Sequence, residues 1–403
     1  MKAVVEAAEE RLEELLSEGG PAAQARERAA FDEVSFRCQD RIVIYGAGGL
    51  GQRTLAGLRA NGVEPLAIAD RNPAVCGRTV GGVEVFSPEA AIRKFGSDAV
   101  FLVAVWNPAL PGGVARLCSE LRQSGCRRAV PFVSLFWKYA ETFLPFYLWD
   151  LPSRVYSSAP QIRETFAALA PRSRVEFVSH LELRLTGNFD RLSRPEAEPQ
   201  YFPHGLFRVA PDECFVDCGA YDGDTLCGFA DWIGGTFRKA IAFEADPANF
   251  GALQRAVAGD PRFRGRVTAI QAAVGRGRCK VRFAASGLAS AAISDSGDTE
   301  VDCVSLDDSV IADAPTYIKM DIEGAELDAL EGARATIMRH NPLLAICTYH
   351  TQDHLWRVPL KLRELAPESK LVLRPYCEDG FDLICYAIPP NRAGEFSSED
   401  GVA

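Results

Sequence analysis

The chain has 403 residues, which is too long for one ordinary domain and enough for two domains that each bury a core. Its 54 acidic residues outnumber its 44 lysines and arginines, so the net charge is -10 and phosphate backbones and anionic lipids are repelled. We therefore expect neither a nucleic acid nor a membrane as a partner. The 12 cysteines form no C-x-x-C pair, and several lie in strand-like runs, as buried thiols of a cytoplasmic protein do.

Three segments precede the second half of the chain. Residues 1–38 have a helical pattern with Leu12, Leu15 and Leu16 on one side, which predicts an appendage or a contact within a homodimer. Residues 39–135 alternate buried strands with helices, which predicts a small Rossmann-like βαβ domain. Residues 136–210 are broken by prolines and then helical from about 162 to 192, which predicts a helical connector.

Residues 211–403 predict a larger α/β domain. Its strand candidates are apolar throughout, as expected for a parallel sheet that helices cover on both faces. They are FVD at 215–217, IAFE at 241–244, TAIQAAV at 268–274, YIKMD at 317–321, LLAICTYH at 343–350, KLVLR at 370–374 and LICYAI at 383–388. Two shorter runs, CKVRF and VDCVSL, predict an inserted hairpin between the third and fourth strands.

The first of two glycine-rich loops lies in the smaller domain. Gly46, Gly48 and Gly51 fit the G-x-G-x-x-G pattern between a strand and a helix, and Asp70 ends the next strand. This spacing is typical of a dinucleotide or nucleotide-sugar site, where backbone amides face a pyrophosphate. The alternative is a scaffold that keeps the tight turn because the helix must pack against the strand. The second mononucleotide half of a complete dinucleotide fold is missing.

The second loop, FVDCGAYDGDT at 215–225, carries three acids: Asp217, Asp222 and Asp224. A carboxylate that faced a pyrophosphate would meet like charge at close range, so this loop is suited to a ligand with donors or cations. S-adenosylmethionine offers a sulfonium, an ammonium and ribose hydroxyls. Glu244 closes the next strand and could accept hydrogen bonds from both ribose hydroxyls, while Asp217 and the loop lie under the methionine part. Each acid could instead be an ordinary turn, capping or strand-end residue.

Several stretches together resemble the FkbM-type family of S-adenosylmethionine-dependent methyltransferases. They are VDCGAYDGDT, AFEADP, VSLDD at 304–308, YIKMDIEGAE at 317–326 and TYHTQDHLWRVP at 348–359. The resemblance covers roughly residues 200–390 and implies a class I methyltransferase fold with a seven-stranded Rossmann-like sheet. It also implies transfer to an oxygen, commonly a hydroxyl of a sugar or natural product. The expected cofactor contacts are Asp217, Gly219, Ala220, Tyr221, Gly223, Asp224, Thr225, Glu244, Ala245 and Ala272.

Methylation of an aliphatic hydroxyl needs a base or a metal beside the nucleophile. Asp321 ends a strand and Glu323 follows it, so either could be the base or hold Mg²⁺. His350 closes the next strand and ordinarily titrates near neutrality, which makes it the favoured base. The H-x-x-D-H spacing of His350, Asp353 and His354 would suit zinc only on one helix, and this segment leaves a strand.

The aromatic pair Tyr201 and Phe202 precedes the first strand of the larger domain, where a substrate wall or connector packing is expected. The whole pattern predicts a cytoplasmic enzyme that O-methylates a hydroxylated small molecule or glycosylated metabolite. One rival is an NAD-dependent oxidoreductase that uses the first glycine loop. The other is a non-catalytic scaffold that binds a nucleotide sugar.

Overall fold

The computed structural model of the chain describes residues 2–36, 38, 41–106, 112–210, 212–285, 292–293, 297 and 299–394. Residues 39, 40, 211 and 395–403, which belong to the predicted domains 39–135 and 211–403, lie outside this description. The chain begins with two helices, α1 (Lys2–Ser17) and α2 (Gly20–Ser35). Within the described residues, no helix has the length and apolar character needed to cross a bilayer.

The smaller α/β unit follows. Its elements are β1 (Ile42–Tyr45), α3 (Gly49–Ala60), β2 (Ala67–Ala69), β3 (Thr79–Val80), β4 (Val83–Phe86), α4 (Pro88–Phe95), β5 (Val100–Val103), α5 (Gly113–Gln123) and β6 (Arg128–Pro131). The strand order is β3-β4-β2-β1-β5-β6, and only β3 runs antiparallel to its neighbour. The β3–β4 hairpin was not predicted. Gly81 and Gly82 form its two-residue turn with φ of +56° and +83°, a conformation that glycine adopts without strain.

The connector contains α6 (Val133–Lys138), α7 (Ala140–Phe143), α8 (Ala159–Ala168) and α9 (Pro171–Thr186). The single helical stretch predicted near 162–192 is therefore two helices. Pro171 begins α9, because proline is tolerated in the first turn of a helix, and it disfavours a helical conformation in the residue before it. Helix α1 packs on α9. Leu12, Leu15 and Leu16 are buried in the same apolar cluster as the α9 residues, and Arg11 Nη2 lies 2.8 Å from Glu182 Oε1. The face of α1 that carries Leu12, Leu15 and Leu16, for which a homodimer contact was one prediction, is therefore covered by helix α9 of the same chain.

The larger α/β unit has three layers. Its elements are β7 (Cys214–Cys218), α10 (Asp224–Trp232), β8 (Lys239–Phe243), α11 (Pro247–Gly259), β9 (Val267–Ile270), β10 (Ala273–Val274), β11 (Cys279–Ala284), β12 (Ala292–Ile293), β13 (Thr299–Val304), α12 (Leu306–Ser309), β14 (Tyr317–Met320), α13 (Glu326–Glu331), α14 (Arg334–His340), β15 (Leu343–Cys347), α15 (His354–Leu365), β16 (Lys370–Pro375) and β17 (Leu383–Ile388).

The main sheet has the order β16-β17-β15-β14-β7-β8-β9, with β17 antiparallel to both neighbours and the other pairs parallel. The α/β fold class is confirmed. A smaller sheet, β10-β13-β11-β12, contains the predicted hairpin as the antiparallel pair β11–β13. From β7 the chain moves outward through β8 and β9, and it returns to β14 on the other side of β7. Ligands of open α/β sheets bind at such a switch point, at the carboxyl ends of the strands.

Candidate active site

A cavity of about 660 Å³ opens at this switch point. We call it the switch-point cavity. Five carboxylates line it: Asp224, Glu244, Asp321, Glu323 and Asp382. No lysine or arginine is among the described residues that line it. The cavity therefore offers hydrogen-bond acceptors and negative charge, which favour a ligand with donors or a cation.

The predicted cofactor residues divide into two groups. Gly219, Tyr221, Asp224, Glu244, Ala245 and Ala272 line the cavity, whereas Asp217, Ala220, Gly223 and Thr225 do not. Gly219 must be glycine because its φ is +80° and a Cβ there would lie 1.9 Å from the carbonyl oxygen of Asp321. The loop after β7 thus lies directly against the end of β14.

Asp217 lies beneath this loop rather than in the cavity. It is fully buried, and its Oδ1 lies 2.9 Å from Nζ of Lys319, which is its cross-strand neighbour in the β7–β14 register. Burial raises the pKa of Asp217 to about 6, and the ammonium of Lys319 limits the rise. The predicted contact of Asp217 with the methionine part is not supported by this position. The negative charge of the cavity comes from other acids.

Glu244 follows β8 and holds the loop that precedes α10. Its Oε2 accepts the backbone N–H of Tyr221 at 2.8 Å, and its Oε1 accepts that of Asp246 at 2.8 Å. Burial raises the pKa of Glu244. Since each carboxylate oxygen has two acceptor positions, one on each remains for a ligand in the cavity.

Asp321 contacts a row of buried charged side chains that lies outside the cavity. Nδ1 of His350 lies 2.6 Å from Glu326 Oε1, and Nε2 of the same ring lies 3.2 Å from Asp321 Oδ1. Burial alone would lower the pKa of His350, but the carboxylates of Glu326 and Asp321 raise it well above its ordinary value. Burial would raise the pKa of Asp321, but His350 and Lys319 hold it below its ordinary value. The residues therefore form an alternating array of carboxylate, imidazolium and carboxylate.

This array does not support His350 as the base. A ring that is protonated at neutral pH cannot accept the proton of a hydroxyl, and His350 does not line the cavity. Sequence reasoning missed Glu326, which is fully buried and also lies 3.2 Å from His354 Nδ1 through its Oε2. Its place at the end of the D-x-E-G-A-E motif could have indicated a functional role. Its partners, His350 and His354, follow β15 and begin α15, so the motif alone did not show the contact.

Glu323 is the second acid of that motif, and it differs from Asp321. It has a left-handed backbone with φ of +54°, which is uncommon outside glycine, and its side chain is mostly buried. Burial raises its pKa to about 7, while His350 and a hydrogen bond with Tyr147 oppose the rise. A carboxylate that titrates near 7 is suited to accept a proton at neutral pH.

The structure gives no support to a metal site. Among the described residues, no group of three or more histidine, cysteine, aspartate or glutamate side chains could hold a metal ion. Asp353 of the H-x-x-D-H stretch accepts the Thr351 hydroxyl at 2.7 Å and faces Arg357, also at 2.7 Å, rather than the histidines. Asp321 and Glu323, the residues considered for Mg²⁺, face the cavity with His350 between them.

The predicted substrate wall is placed behind the site. Phe202 packs among aromatic rings of the core, and Tyr201 is buried with its hydroxyl donating to Asp321 Oδ2 at 2.8 Å. Neither lines the cavity. The aromatic side chains that do so are Trp106, Tyr147, Tyr349 and Phe381, together with Tyr221, Phe243 and Phe283. Sequence reasoning missed the first four because they come from different segments of the chain.

The first glycine loop borders a second cavity of about 590 Å³, which we call the glycine-loop cavity. Gly46, Gly48 and Asp70 line it, but Gly51 does not. A Cβ on Gly51 would lie 1.9 Å from the Gly46 carbonyl oxygen, so this glycine serves the packing of α3 against β1. Asp70 accepts the backbone N–H groups of Ala47 and Asn72, each at 2.7 Å.

Comparison with known proteins identifies the larger unit. Residues 217–368 match the family model of the methyltransferase FkbM domain. We call this matched segment, residues 217–368, the FkbM domain. The likeness inferred from the sequence motifs is thereby confirmed.

Solved structures extend the likeness beyond the FkbM domain. The chain is similar to methyltransferase FkbM from Methylobacillus flagellatus KT, with 25% identity and a TM-score of 0.70, over 96% of this chain and 98% of that one. UDP-D-quinovosamine 4-dehydrogenase from Vibrio fischeri aligns with 23% of this chain and 77% of its own, at 24% identity and a TM-score of 0.19. An rRNA methylase from Streptococcus thermophilus aligns with 45% and 89%, at 11% identity and a TM-score of 0.27. These last two scores are too low to carry an argument. No curated protein matches the chain.

Proposed function

We propose that this protein transfers a methyl group from S-adenosylmethionine to a hydroxyl of a small molecule, such as a sugar, a glycosylated metabolite or a natural product. The observation that carries the proposal is the lining of the switch-point cavity. The cavity is lined by five carboxylates and, among the described residues, by no lysine or arginine. Such a lining favours a cationic sulfonium compound over a phosphorylated one.

The residues of the cavity fit this donor. Glu244 stands where ribose hydroxyls can donate to its free acceptor positions, and Ala245 and Ala272 leave room for a flat base beside it. Gly219, Tyr221 and Asp224 line the cavity, where the loop would face the methionine part and Asp224 would offer a carboxylate to its ammonium. The cavity volume lies within the range of ordinary small-molecule sites.

Bound S-adenosylmethionine would supply an electrophilic methyl carbon, whose bond to sulfur breaks as the acceptor oxygen forms its bond in line. Glu323 would take the proton that the hydroxyl loses, because its pKa near 7 leaves it partly ionised at neutral pH. Asp321 stays ionised and can orient the hydroxyl, since His350 and the Tyr201 hydroxyl fix both of its oxygens. His350 and Glu326 would act as positioning residues behind it.

Binding of S-adenosylhomocysteine tests the donor site. Glu244→Ala should weaken binding roughly 10- to 100-fold, because hydrogen bonds to a charged acceptor are lost. Isothermal titration calorimetry measures the affinity, and the thermal transition of the variant reports whether it remains folded. Asp231→Ala is the control, since Asp231 is an exposed acid of the following helix α10 that does not line the cavity. Equal affinity of wild type and Glu244→Ala would contradict the ribose assignment.

Cytoplasmic location and the homodimer remain predictions. The NAD-dependent oxidoreductase remains the alternative. If the protein is such an oxidoreductase, NADH should raise its thermal transition temperature and S-adenosylhomocysteine should not.

A further inference from the structure

The glycine-loop cavity and the switch-point cavity are neighbours. Trp106, Tyr147 and Phe381 line both of them. The Trp106 ring centroid lies 5.1 Å from that of Phe381, and the Tyr147 centroid lies 5.4 Å from it. These three side chains, which we call the aromatic partition, come from the smaller unit, the connector and the larger unit. A molecule in one cavity therefore contacts the same side chains as a molecule in the other.

The aromatic partition also touches the proposed base. Tyr147 is hydrogen-bonded with Glu323. Trp106 is 52% exposed, so it is not packed into a core. Tyr147 thus both lines the glycine-loop cavity and contacts Glu323.

Two glycines of the first loop leave space that neither packing nor conformation explains. A Cβ on Gly48 or Gly49 would have no atom within 4 Å, whereas one on Gly46 would lie 2.6 Å from the Ala104 carbonyl oxygen. Gly48 has φ of -75°, which any residue adopts. Both glycines line the cavity, so the absence of side chains leaves the loop backbone open to a ligand there.

The polar groups of the glycine-loop cavity match a nucleotide. Arg53 lies on α3 beside the loop, where its Nη2 donates to the Phe143 carbonyl at 2.9 Å and its guanidinium lies 4.8 Å from the Phe146 ring centroid. Among the described residues, Arg53 has no carboxylate in ion-pair contact, so its charge is available to a phosphate. Asp70 lines the same cavity, and each of its oxygens can accept one hydrogen bond beyond those from the backbone.

The described lining also includes the Tyr147 side chain and the carboxylate of Asp379, which accepts the Cys377 thiol at 2.9 Å. The remaining lining is apolar and aromatic, including Phe132, Phe146 and Trp149, and flat bases and pyranose faces pack against such side chains.

We infer that the methyl acceptor is a nucleoside diphosphate sugar, whose nucleotide part occupies the glycine-loop cavity and whose sugar passes the aromatic partition to present a hydroxyl to Glu323. This inference rests on the proposed methyl transfer. It explains why a methyltransferase has a second cavity beside its own: the switch-point cavity of about 660 Å³ must hold the donor, so a large acceptor needs the adjoining 590 Å³.

Calorimetry on the full chain with UDP-glucose, GDP-mannose and dTDP-glucose tests the inference. We expect at least one of them to bind the wild type, and Gly48→Val and Arg53→Gln to weaken that binding about tenfold or more. Gly259→Val is the matched control, because a Cβ on Gly259 also meets no atom within 4 Å but lies at the end of α11, away from both cavities. S-adenosylhomocysteine should bind all four proteins equally.

Transfer of a labelled methyl group to the nucleotide sugar that binds should show a raised KM for both loop variants and an unchanged kcat. The inference is overturned if none of the three nucleotide sugars binds, or if Gly48→Val binds them as tightly as the wild type does. It is also overturned if NADH binds the same cavity more tightly than the nucleotide sugars and displaces them. S-adenosylhomocysteine binding separates the two proposals. If S-adenosylhomocysteine binds but the nucleotide sugars do not, only this inference is contradicted. If the nucleotide sugars bind and Gly48→Val weakens that binding, but S-adenosylhomocysteine does not bind, the proposed methyl transfer is contradicted.

Discussion

Glu323 combines a left-handed backbone, a buried carboxylate and a pKa raised to about 7 by that burial. Because only the ionised form can accept a proton, kcat/KM should rise with pH up to about 7 and then level off. Glu323→Gln keeps the shape but cannot take the proton, so we expect kcat to fall roughly 10²- to 10⁴-fold with loss of that pH dependence. A pH–rate profile of both proteins measures this.

Unchanged binding of S-adenosylhomocysteine to Glu323→Gln serves as its control. A variant that keeps both the rate and the rise with pH would show that Glu323 is not the base, and the rise could not be assigned to Asp321, whose pKa lies below its ordinary value.

Residue roles were predictable where they depend on position in a motif. Asp321, Glu323 and Glu244 each follow a strand, and all three line the cavity. The role of His350 was not predictable in this way. Its protonation depends on Glu326, 24 positions earlier in the chain and 2.6 Å away, and the sequence does not give that distance.

At the scale of the elements, the register of β7 and β14 sets Asp217 beside Lys319 in the centre of the main sheet. Both side chains are buried, so removal of the ammonium leaves a carboxylate without its counter-charge. Lys319→Met should lower the free energy of unfolding by about 3–5 kcal/mol, and Lys319→Met with Asp217→Leu should recover much of the loss. Urea denaturation measures both.

The matched control for this pair is Lys280→Met. Lys280 and Asp302 are also cross-strand neighbours at 2.9 Å, but both are exposed on the β11–β13 hairpin, so no measurable change is expected. If Lys319→Met and Lys280→Met changed the free energy of unfolding equally, burial would not be the reason for the effect at Lys319.

Across the whole molecule, the first helix belongs to the fold of its own chain. Leu12 is 1% exposed and packs in the cluster that contains α9 residues. Leu12→Ala should therefore lower the free energy of unfolding by about 2–5 kcal/mol, because it leaves a cavity. Chemical denaturation and sedimentation measure stability and oligomeric state together.

Val4→Ala on the same helix is the control, since Val4 is 52% exposed and should change stability little. A homodimer that dissociates in Leu12→Ala without loss of stability would return this face to the role predicted from the sequence.

The sequence by itself determined the α/β class, most of the larger domain's strands, the FkbM motifs and the acids that follow β8 and β14, because each depends on periodicity or spacing within a short segment. The run at 268–274, predicted as one strand, is instead β9 and β10 in two different sheets. Only the tertiary structure decided that Lys319 neutralises Asp217, that His350 is held between two carboxylates, and that Trp106, Tyr147 and Phe381 separate two cavities. The physical reason is that charge compensation and cavity walls arise between segments distant in the chain, and their distances follow from packing rather than from local pattern.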